Sequence, residues 1–279
     1  MKVFQTFYHL TFLLCLFSTI ICATRASFVR SRTKINTAVI SVVPRRFAMS
    51  PLSSNKDPLG DFDLPKPLLL GSASFTRKLI LKEMGVEYHK LVRPIDEKAL
   101  GDRSMDSPKD LVMTLAKAKM DHLVNEILSG RCQNDLPESN ESKEWIVLTG
   151  DQVVTCDGKI LEKPESIEEA KDFVSKYGTS PPATVGSCVL RHLPSGIQVS
   201  GVDTATIFFR PTVPTDLIDN LLKDDAPVLS CAGGLMIEHP LVKEHVERID
   251  GTEDSVMGLS KDLVLKLLQE LSDKLKERK

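Results

Sequence analysis

Hydrophobic and polar positions along residues 66–276 fall into short apolar runs and helical stripes. "PLLL" (67–70) is an apolar run of strand length, and the pattern from Thr76 to Met84 is helical and stops at Gly85. "EYHKLVRP" (87–94) predicts a second strand ended by Pro94. Ser107-Pro108-Lys109-Asp110 has the chemistry of a helix start: a side-chain cap, a proline at the first helical position and an acid in the first turn. Leu111, Leu115, Leu123 and Ile127 then recur at helical spacing to about Leu128. "GRCQNDLPESNESKE" (130–144) is polar and rich in turn formers, which predicts a surface loop, read as an insertion. "WIVLTG" (145–150) predicts a buried strand, and Ser166-Ile167-Glu168-Glu169 a capping box opening a helix through Tyr177. "ATVGSCVLRH" (183–192), "IQVSGVDT" (197–204) and "TATIFFRP" (204–211) predict strands, followed by helices near 215–223 and over 261–276. Strands and helices do not alternate strictly and no repeat is visible. The pattern predicts an α/β fold with a mixed, twisted sheet and flanking helices.

Composition changes this picture mainly at one end. The 279 residues suffice for one large domain or two small ones, and 42% hydrophobic content allows a sizeable core. The net charge of −2 gives no bulk argument for nucleic acid or an anionic membrane, so any anion site must be local. The cysteines at 15, 22, 132, 156, 188 and 231 show neither a CxxC pair nor metal-ligand spacing; the last four are expected to be reduced thiols in a reducing compartment. Residues 1–56 contain no Asp or Glu but carry Lys2, Arg25, Arg30, Arg32, Lys34, Arg45, Arg46 and Lys56. That composition predicts a leader over 1–60, read as a plastid or mitochondrial transit peptide, ahead of one domain over 61–279. Two alternatives stand beside it. "LTFLLCLFSTIIC" (10–22) also fits a secretory apolar segment and is short for a membrane span, and a start at Met49 would leave a cytoplasmic protein.

Candidate chemistry lies at element ends. A strand stopping at Gly71 just before a helix exposes that helix's free N–H groups, and with the macrodipole they favour an anion. Ser72 and Ser74 add hydroxyls there, and Arg77 and Lys78 add charge that suits phosphate oxygens. The plainer alternative is a capped helix with solvated basic residues. There is no G-x-x-x-x-G-K-[ST] loop. Asp151 directly follows an apolar strand, where a carboxylate can hold a divalent cation or act as general base on a water. Asp157-Gly158 predicts a tight hairpin turn that brings Lys163 back toward Asp151. Lys119 interrupts the apolar stripe between Leu115 and Leu123, as a lysine that snorkels to the edge or as a cation directed into a cleft. Asp96-Glu97, after Pro94, is a candidate metal site. Three cations (Arg77, Lys119, Lys163) and two acids (Glu97, Asp151) together suit binding and hydrolysis of a phosphate chain with Mg²⁺.

In order along residues 66–271, "GSASFTRK", "PIDE" (94–97), "LAKAKM" (115–120), "GDQVV" (150–154), "DGKILEKP" (157–164), "CAGGLMIE" (231–238) and "IDGTEDSVMGL" (249–259) resemble the Maf family of nucleoside triphosphate pyrophosphatases. The resemblance implies a sheet with a central cleft, like that of the inosine-triphosphate pyrophosphatases, and hydrolysis of a nucleoside triphosphate to monophosphate and pyrophosphate with Mg, Mn or Co. It implies Asp151 as general base, Glu97 and Asp151 at the metal, and Ser72, Ser74, Arg77, Lys78, Lys119 and Lys163 on the triphosphate. The family opening S-x-S-P-R-R, or S-x-S-P-W-R-R in one branch, is here Ser72-Ala73-Ser74-Phe75-Thr76-Arg77-Lys78, without the proline and with Lys for the last Arg. Where the common branch has Asp-Thr and a later Gln, this chain has Asp151-Gln152 and Glu238, the pairing of the subgroup acting on 7-methyl-GTP. Thr76 stands at that subgroup's Trp position, so Thr76, Gln152 and Glu238 are the expected specificity positions, and an aromatic stacking surface is missing at 76. The implied partner is a nucleotide, with no nucleic acid or membrane; the oligomeric state, a homodimer included, stays open. A broad dNTP or UTP pyrophosphatase and a non-catalytic nucleotide-binding regulator are the alternatives.

Overall fold

Alternate residues of the central strands enter two different cores, which is why their sequences read as unbroken apolar runs. The computed structural model describes residues 57–104, 106–138 and 144–278. In chain order these form α1 (Pro58–Asp61), β1 (Leu68–Leu70), α2 (Phe75–Glu83), β2 (Tyr88–Lys90), α3 (Pro108–Leu128), β3 (Trp145–Thr149), β4 (Gln152–Cys156) and β5 (Lys159–Leu161). They continue with α4 (Ile167–Ser175), β6 (Ala183–Leu193), β7 (Gln198–Phe209), α5 (Leu217–Lys223), α6 (Pro240–Lys243), β8 (Val246–Asp250), α7 (Glu253–Met257) and α8 (Lys261–Glu277). Leu68, Leu70, Ile146, Leu148, Cys188 and Leu190 face a core with α2 and α8. Leu69, Trp145, Val147, Val189 and Leu193 face the opposite core with α3. Each fully buried leucine contributes about 1.5–3 kcal/mol through its removal from water, so both helical layers are firmly attached to these strands.

The sheet is mixed, as expected. β1 pairs in parallel with β2 and β3, and the remaining pairings are antiparallel. Its register explains the cleft. β7 lies along β6 from Ala183 to Arg191, so the other edge of β6 is shared. β4 takes Ala183–Gly186 and β3 takes Val189–Leu193. β3 and β4 are therefore successive stretches along one edge, interrupted at Gly150-Asp151. From that interruption the sheet forks. One arm runs through β1 to β2, and the other is β5, joined to β4 by the hairpin turn at Asp157 (φ 51°) and Gly158 (φ 72°). α3 spans the crotch, where Thr149 Oγ1 donates to Ala116 O (2.8 Å) and Ser187 Oγ to Val112 O (2.8 Å).

Four expectations change. The strands read over 197–204 and 204–211 are one strand, β7, because β6 offers it a continuous partner. The predicted surface loop is anchored: it holds a 3₁₀ turn at Gln133–Asp135, Cys132 is fully buried, and Arg93 pairs with Asp135; residues 139–143 lie outside the described residues. The capping box at Ser166 is half-formed. Ser166 Oγ accepts from Glu169 N (3.1 Å), but the Glu169 carboxylate accepts from Glu165 N (2.6 Å). Finally, α1 straddles the expected boundary at 60: Leu59, on its leader side, is fully buried, and just past α1 Ser272 Oγ of α8 donates to Phe62 O. Asp57-Pro58 is a helix start of the same kind as Ser107-Pro108. The leader reading over 1–56 otherwise lies outside the described residues. Among those described, Cys132, Cys156, Cys188 and Cys231 are free thiols, and no helix is long and apolar enough to cross a membrane.

Candidate active site

The fork opens into a cleft of about 1210 Å³. Of the residues singled out in the sequence, Ser72, Ser74, Thr76, Arg77, Glu97, Lys119, Asp151, Gln152, Lys163 and Glu238 all line it. Lys78 does not; on α2 it lies about 100° around the helix from Arg77.

Asp151 sits at the crotch, in the bend between β3 and β4 rather than at a free strand end. Its backbone N–H donates to Ser187 Oγ (3.1 Å), and its carbonyl accepts from Ser187 N (2.9 Å). The bend needs Gly150: a Cβ there would stand 2.4 Å from Ser187 O. The carboxylate, 9% exposed, meets Lys119 Nζ at 2.6 Å, and Glu97 Oε1 meets the same nitrogen at 3.0 Å. Lys119 is thus a cation directed into the cleft, with two carboxylates as its present partners. Of the Asp96-Glu97 pair, Glu97 alone joins this cluster, while Asp96 Oδ1 accepts from Ala99 N (3.3 Å) to cap the 3₁₀ turn at Glu97–Ala99.

Two hard oxygens converging on one cationic position form a donor set that fits a divalent metal. Mg²⁺ is commonly held by one or two carboxylates, with substrate phosphates and water completing its shell. Among the described residues no group of three or more His, Cys, Asp or Glu could hold a metal by itself.

Arg77 is not a solvated cation. It is 7% exposed, and it donates through Nε to Gly258 O (3.0 Å) and through Nη1 to Gly150 O (2.8 Å) and Ser72 Oγ (3.2 Å). Burial pushes its pKa down, with Asp151 acting against that shift. Nη2 has no protein partner among the described residues, so it is what Arg77 has left to offer the cleft. The two serines first build the turn: Ser74 Oγ caps α2 by accepting from Arg77 N (3.4 Å), and Ser72 Oγ accepts from Ser74 N (3.2 Å). Lys163 follows β5 by two residues, which by register is opposite Gln152. It is exposed, and its ammonium has no hydrogen bond or ion pair among the described residues.

The other end of the cleft is apolar. Val154, Tyr177, Ile207 and Phe209 form its wall. Gln152 Nε2 donates to Val256 O (3.0 Å), and its amide oxygen lies against Gly258, where a Cβ would stand 1.8 Å away. Gly258 caps α7 with φ 105°, a left-handed conformation glycine supplies without strain. It therefore links Gln152 to Arg77. Glu238 Oε1 is buried with no hydrogen-bond partner among the described residues. Burial, first of all causes, raises its carboxyl above the usual range, and burial likewise raises the neighbouring Cys231 thiol to about 11.

Sequence reasoning missed several lining residues. Phe75 is 69% exposed on the cleft, so an aromatic face absent at Thr76 exists one residue earlier. Two ion pairs, Lys98–Glu165 (2.7 Å) and Arg103–Glu162 (3.3 Å), bridge the two arms at the rim. Their signal was faint, since each residue belongs to a turn-rich stretch whose partner lies about 60 positions away. The apolar wall had no local signal, because its residues look like ordinary core.

Residues 67–271 match a family model described as Maf-like protein. The chain is 32% identical over 207 residues to a 7-methyl-GTP pyrophosphatase of Dictyostelium discoideum, covering 74% of this chain and 98% of that protein. It is 28% identical over 193 residues to a dTTP/UTP pyrophosphatase of Salinibacter ruber (69% and 85% covered). It is 30% identical over 207 residues to a nucleoside triphosphate pyrophosphatase of Rhodococcus erythropolis (72% and 91% covered).

Proposed function

The chain belongs to the Maf-like protein family, and on that premise we propose that it is a metal-dependent nucleoside triphosphate pyrophosphatase with 7-methyl-GTP as its leading substrate. The observation that carries this reading is Asp151, placed at the crotch of the forked sheet and joined through Lys119 to Glu97. A water held against the Asp151 carboxylate gives it a proton while attacking the α-phosphorus. The bond from that phosphorus to the bridging oxygen breaks, and pyrophosphate leaves. Ser72, Ser74, Lys119, Lys163 and the free end of Arg77 bind the triphosphate oxygens; Lys78, off the cleft lining, adds long-range charge. A divalent cation, Mg, Mn or Co, held by Glu97 and Asp151, would supply charge neutralisation for the triphosphate. The apolar end receives the base, with Gln152, Glu238 and the 75–76 turn as its specificity elements. Glu238 accepts from the N1–H and exocyclic amine of a guanine, and its charge complements a methylated, cationic ring.

Thr76 in place of an aromatic, together with the Salinibacter relative, favours a second reading, a broad dNTP or UTP pyrophosphatase. A panel of 7-methyl-GTP, GTP, ATP, dTTP, UTP and CTP, scored for pyrophosphate with Mg²⁺ or Mn²⁺, separates them. The proposal expects the highest kcat/KM on 7-methyl-GTP. Preference for dTTP or UTP supports the second reading, and no pyrophosphate from any nucleotide refutes the activity.

Glu238→Gln keeps an acceptor oxygen and removes the charge. A charge-assisted hydrogen bond contributes about 1.5–3 kcal/mol against about 0.5–1.5 for a neutral one. At about 1.4 kcal/mol per decade, kcat/KM on 7-methyl-GTP is expected to fall on the order of ten-fold, with UTP much less affected. The same variant has a stability signature. Because burial raises the Glu238 carboxyl in the folded chain, the native state holds that proton to higher pH than the unfolded chain does. Stability is therefore lost as pH rises from the ordinary Glu range through the raised value. Glu238→Gln should melt above wild type at neutral pH, and the gap should close in acid below about pH 4, near the ordinary Glu value. Equal melting temperatures at neutral pH would show that the carboxyl is solvated.

A further inference from the structure

Three buried side-chain oxygens have no hydrogen bond among the described residues: Asp57 Oδ2, Thr184 Oγ1 and Glu238 Oε1. Asp57 Oδ2 is answered by an ion pair, with Lys66 Nζ at 2.9 Å. The other two both line the cleft. Glu238 already belongs to the proposed base site. Thr184 was singled out by nothing in the sequence.

Thr184 is 1% exposed, on β6 between Val154 of β4 and Ala205 of β7. Its neighbour Val185 packs under α3 with Leu111, Val112 and Leu115. By strand alternation the Thr184 side chain takes the opposite face, that of Val154 and the apolar wall. The hydroxyl of Tyr177, which belongs to that wall, is committed to Gly233 O at 2.7 Å. A buried hydroxyl without a partner destabilises the fold. Valine would fill the same volume and suit a strand better. The hydroxyl therefore works against the empty protein, and a ligand group in the cleft is what can satisfy it.

We propose that Thr184 is a specificity-determining residue that donates its hydroxyl hydrogen to a ring carbonyl of the base while Glu238 accepts from the adjoining N–H. This deepens the functional reading above and rests on it. The edge so read is the purine lactam, –NH–C(=O)–, of guanine, 7-methylguanine and hypoxanthine. Methylation at N7 leaves it in place. Adenine offers no ring N–H at that edge, so its bare nitrogen would face the Glu238 carboxylate. A site built to hydrogen-bond a substrate group rejects analogues that leave its buried polar atoms unpaired.

The test is Thr184→Val, with Thr184→Ser as the conservative control. In Thr184→Val the KM for 7-methyl-GTP and GTP is expected to rise about ten-fold, which corresponds to about 1.4 kcal/mol, with kcat within about two-fold of wild type. Competitive inhibition by inorganic tripolyphosphate, which has no base, should be unchanged. The melting temperature of the free protein should be equal or higher, since the unpaired hydroxyl is gone. Thr184→Ser should restore the wild-type KM. An unchanged KM in Thr184→Val overturns the proposal. So does a parallel rise in KM and in the tripolyphosphate inhibition constant with a lower melting temperature, which would mark a packing role. If the wild type cleaves no nucleotide at all, the functional reading falls and this inference falls with it; turnover with unchanged KM in Thr184→Val removes this inference alone.

Discussion

Replacing Asp151 by asparagine is expected to lower pyrophosphate release about 10²–10⁴-fold on every nucleotide the wild type cleaves, the range a positioned general base contributes. Asparagine keeps the size and the backbone bond to Ser187 Oγ, but its amide cannot take the proton from the attacking water. Lys119 retains Glu97 at 3.0 Å, so the cluster is not left without an ion pair and the fold should be intact. A melting temperature near wild type, with turnover lost on all bases alike, is the expected pair of results. Near-normal turnover in Asp151→Asn would sink the assignment of the base.

Removing the Arg77 guanidinium should cost stability and activity together. Arg77→Ala takes the donor away from Gly150 O, Gly258 O and Ser72 Oγ in a buried place. Each buried acceptor left without a partner costs about 1–3 kcal/mol. Ser72 Oγ keeps the Ser74 N–H, while Gly150 O and Gly258 O are left without a partner among the described residues, so a loss of about 3–5 kcal/mol is expected. Against a usual total of about 5–15 kcal/mol this is a large share. At about 2–4 °C per kcal/mol for a chain of this size, the melting temperature should drop about 6–20 °C. Activity should fall on every nucleotide, because the same bonds align the Ser72 turn and the Gly150 bend beside Asp151. Arg77→Lys keeps the charge but cannot span three acceptors, so it should recover little of the stability. An unchanged melting temperature with abolished turnover would mean that Arg77 acts on the phosphates alone.

Legibility in the sequence follows the range of the interactions. Ser107-Pro108 and Asp157-Gly158 announce their helix and hairpin because a cap and a two-residue turn are local. "WIVLTG" announces β3 because burial on both faces leaves no polar alternation to hide it. Lys119 could be flagged as anomalous on its stripe, but its partners Glu97 and Asp151 come from other elements, and spacing along one helix carries no information about them. The fork depends on which stretches of β6 are taken by β3 and β4 while β7 runs along the opposite edge, and such long-range pairing leaves no local mark in the sequence. Arg77 illustrates the converse: "SFTRK" looks like a solvated helix start, and only the meeting with Gly150 and Gly258 buries it. Thr184 is silent in the sequence because a threonine in a strand is ordinary. Its meaning lies in the absence of a partner among the described residues.

The central claim is that solvent attacks the α-phosphorus beside Asp151. The most direct measurement is hydrolysis of 7-methyl-GTP in ¹⁸O-labelled water with Mg²⁺, with both products read by mass spectrometry. One labelled oxygen in the monophosphate and none in the pyrophosphate is the predicted result. Label in the pyrophosphate, or release of orthophosphate with a nucleoside diphosphate, would contradict it.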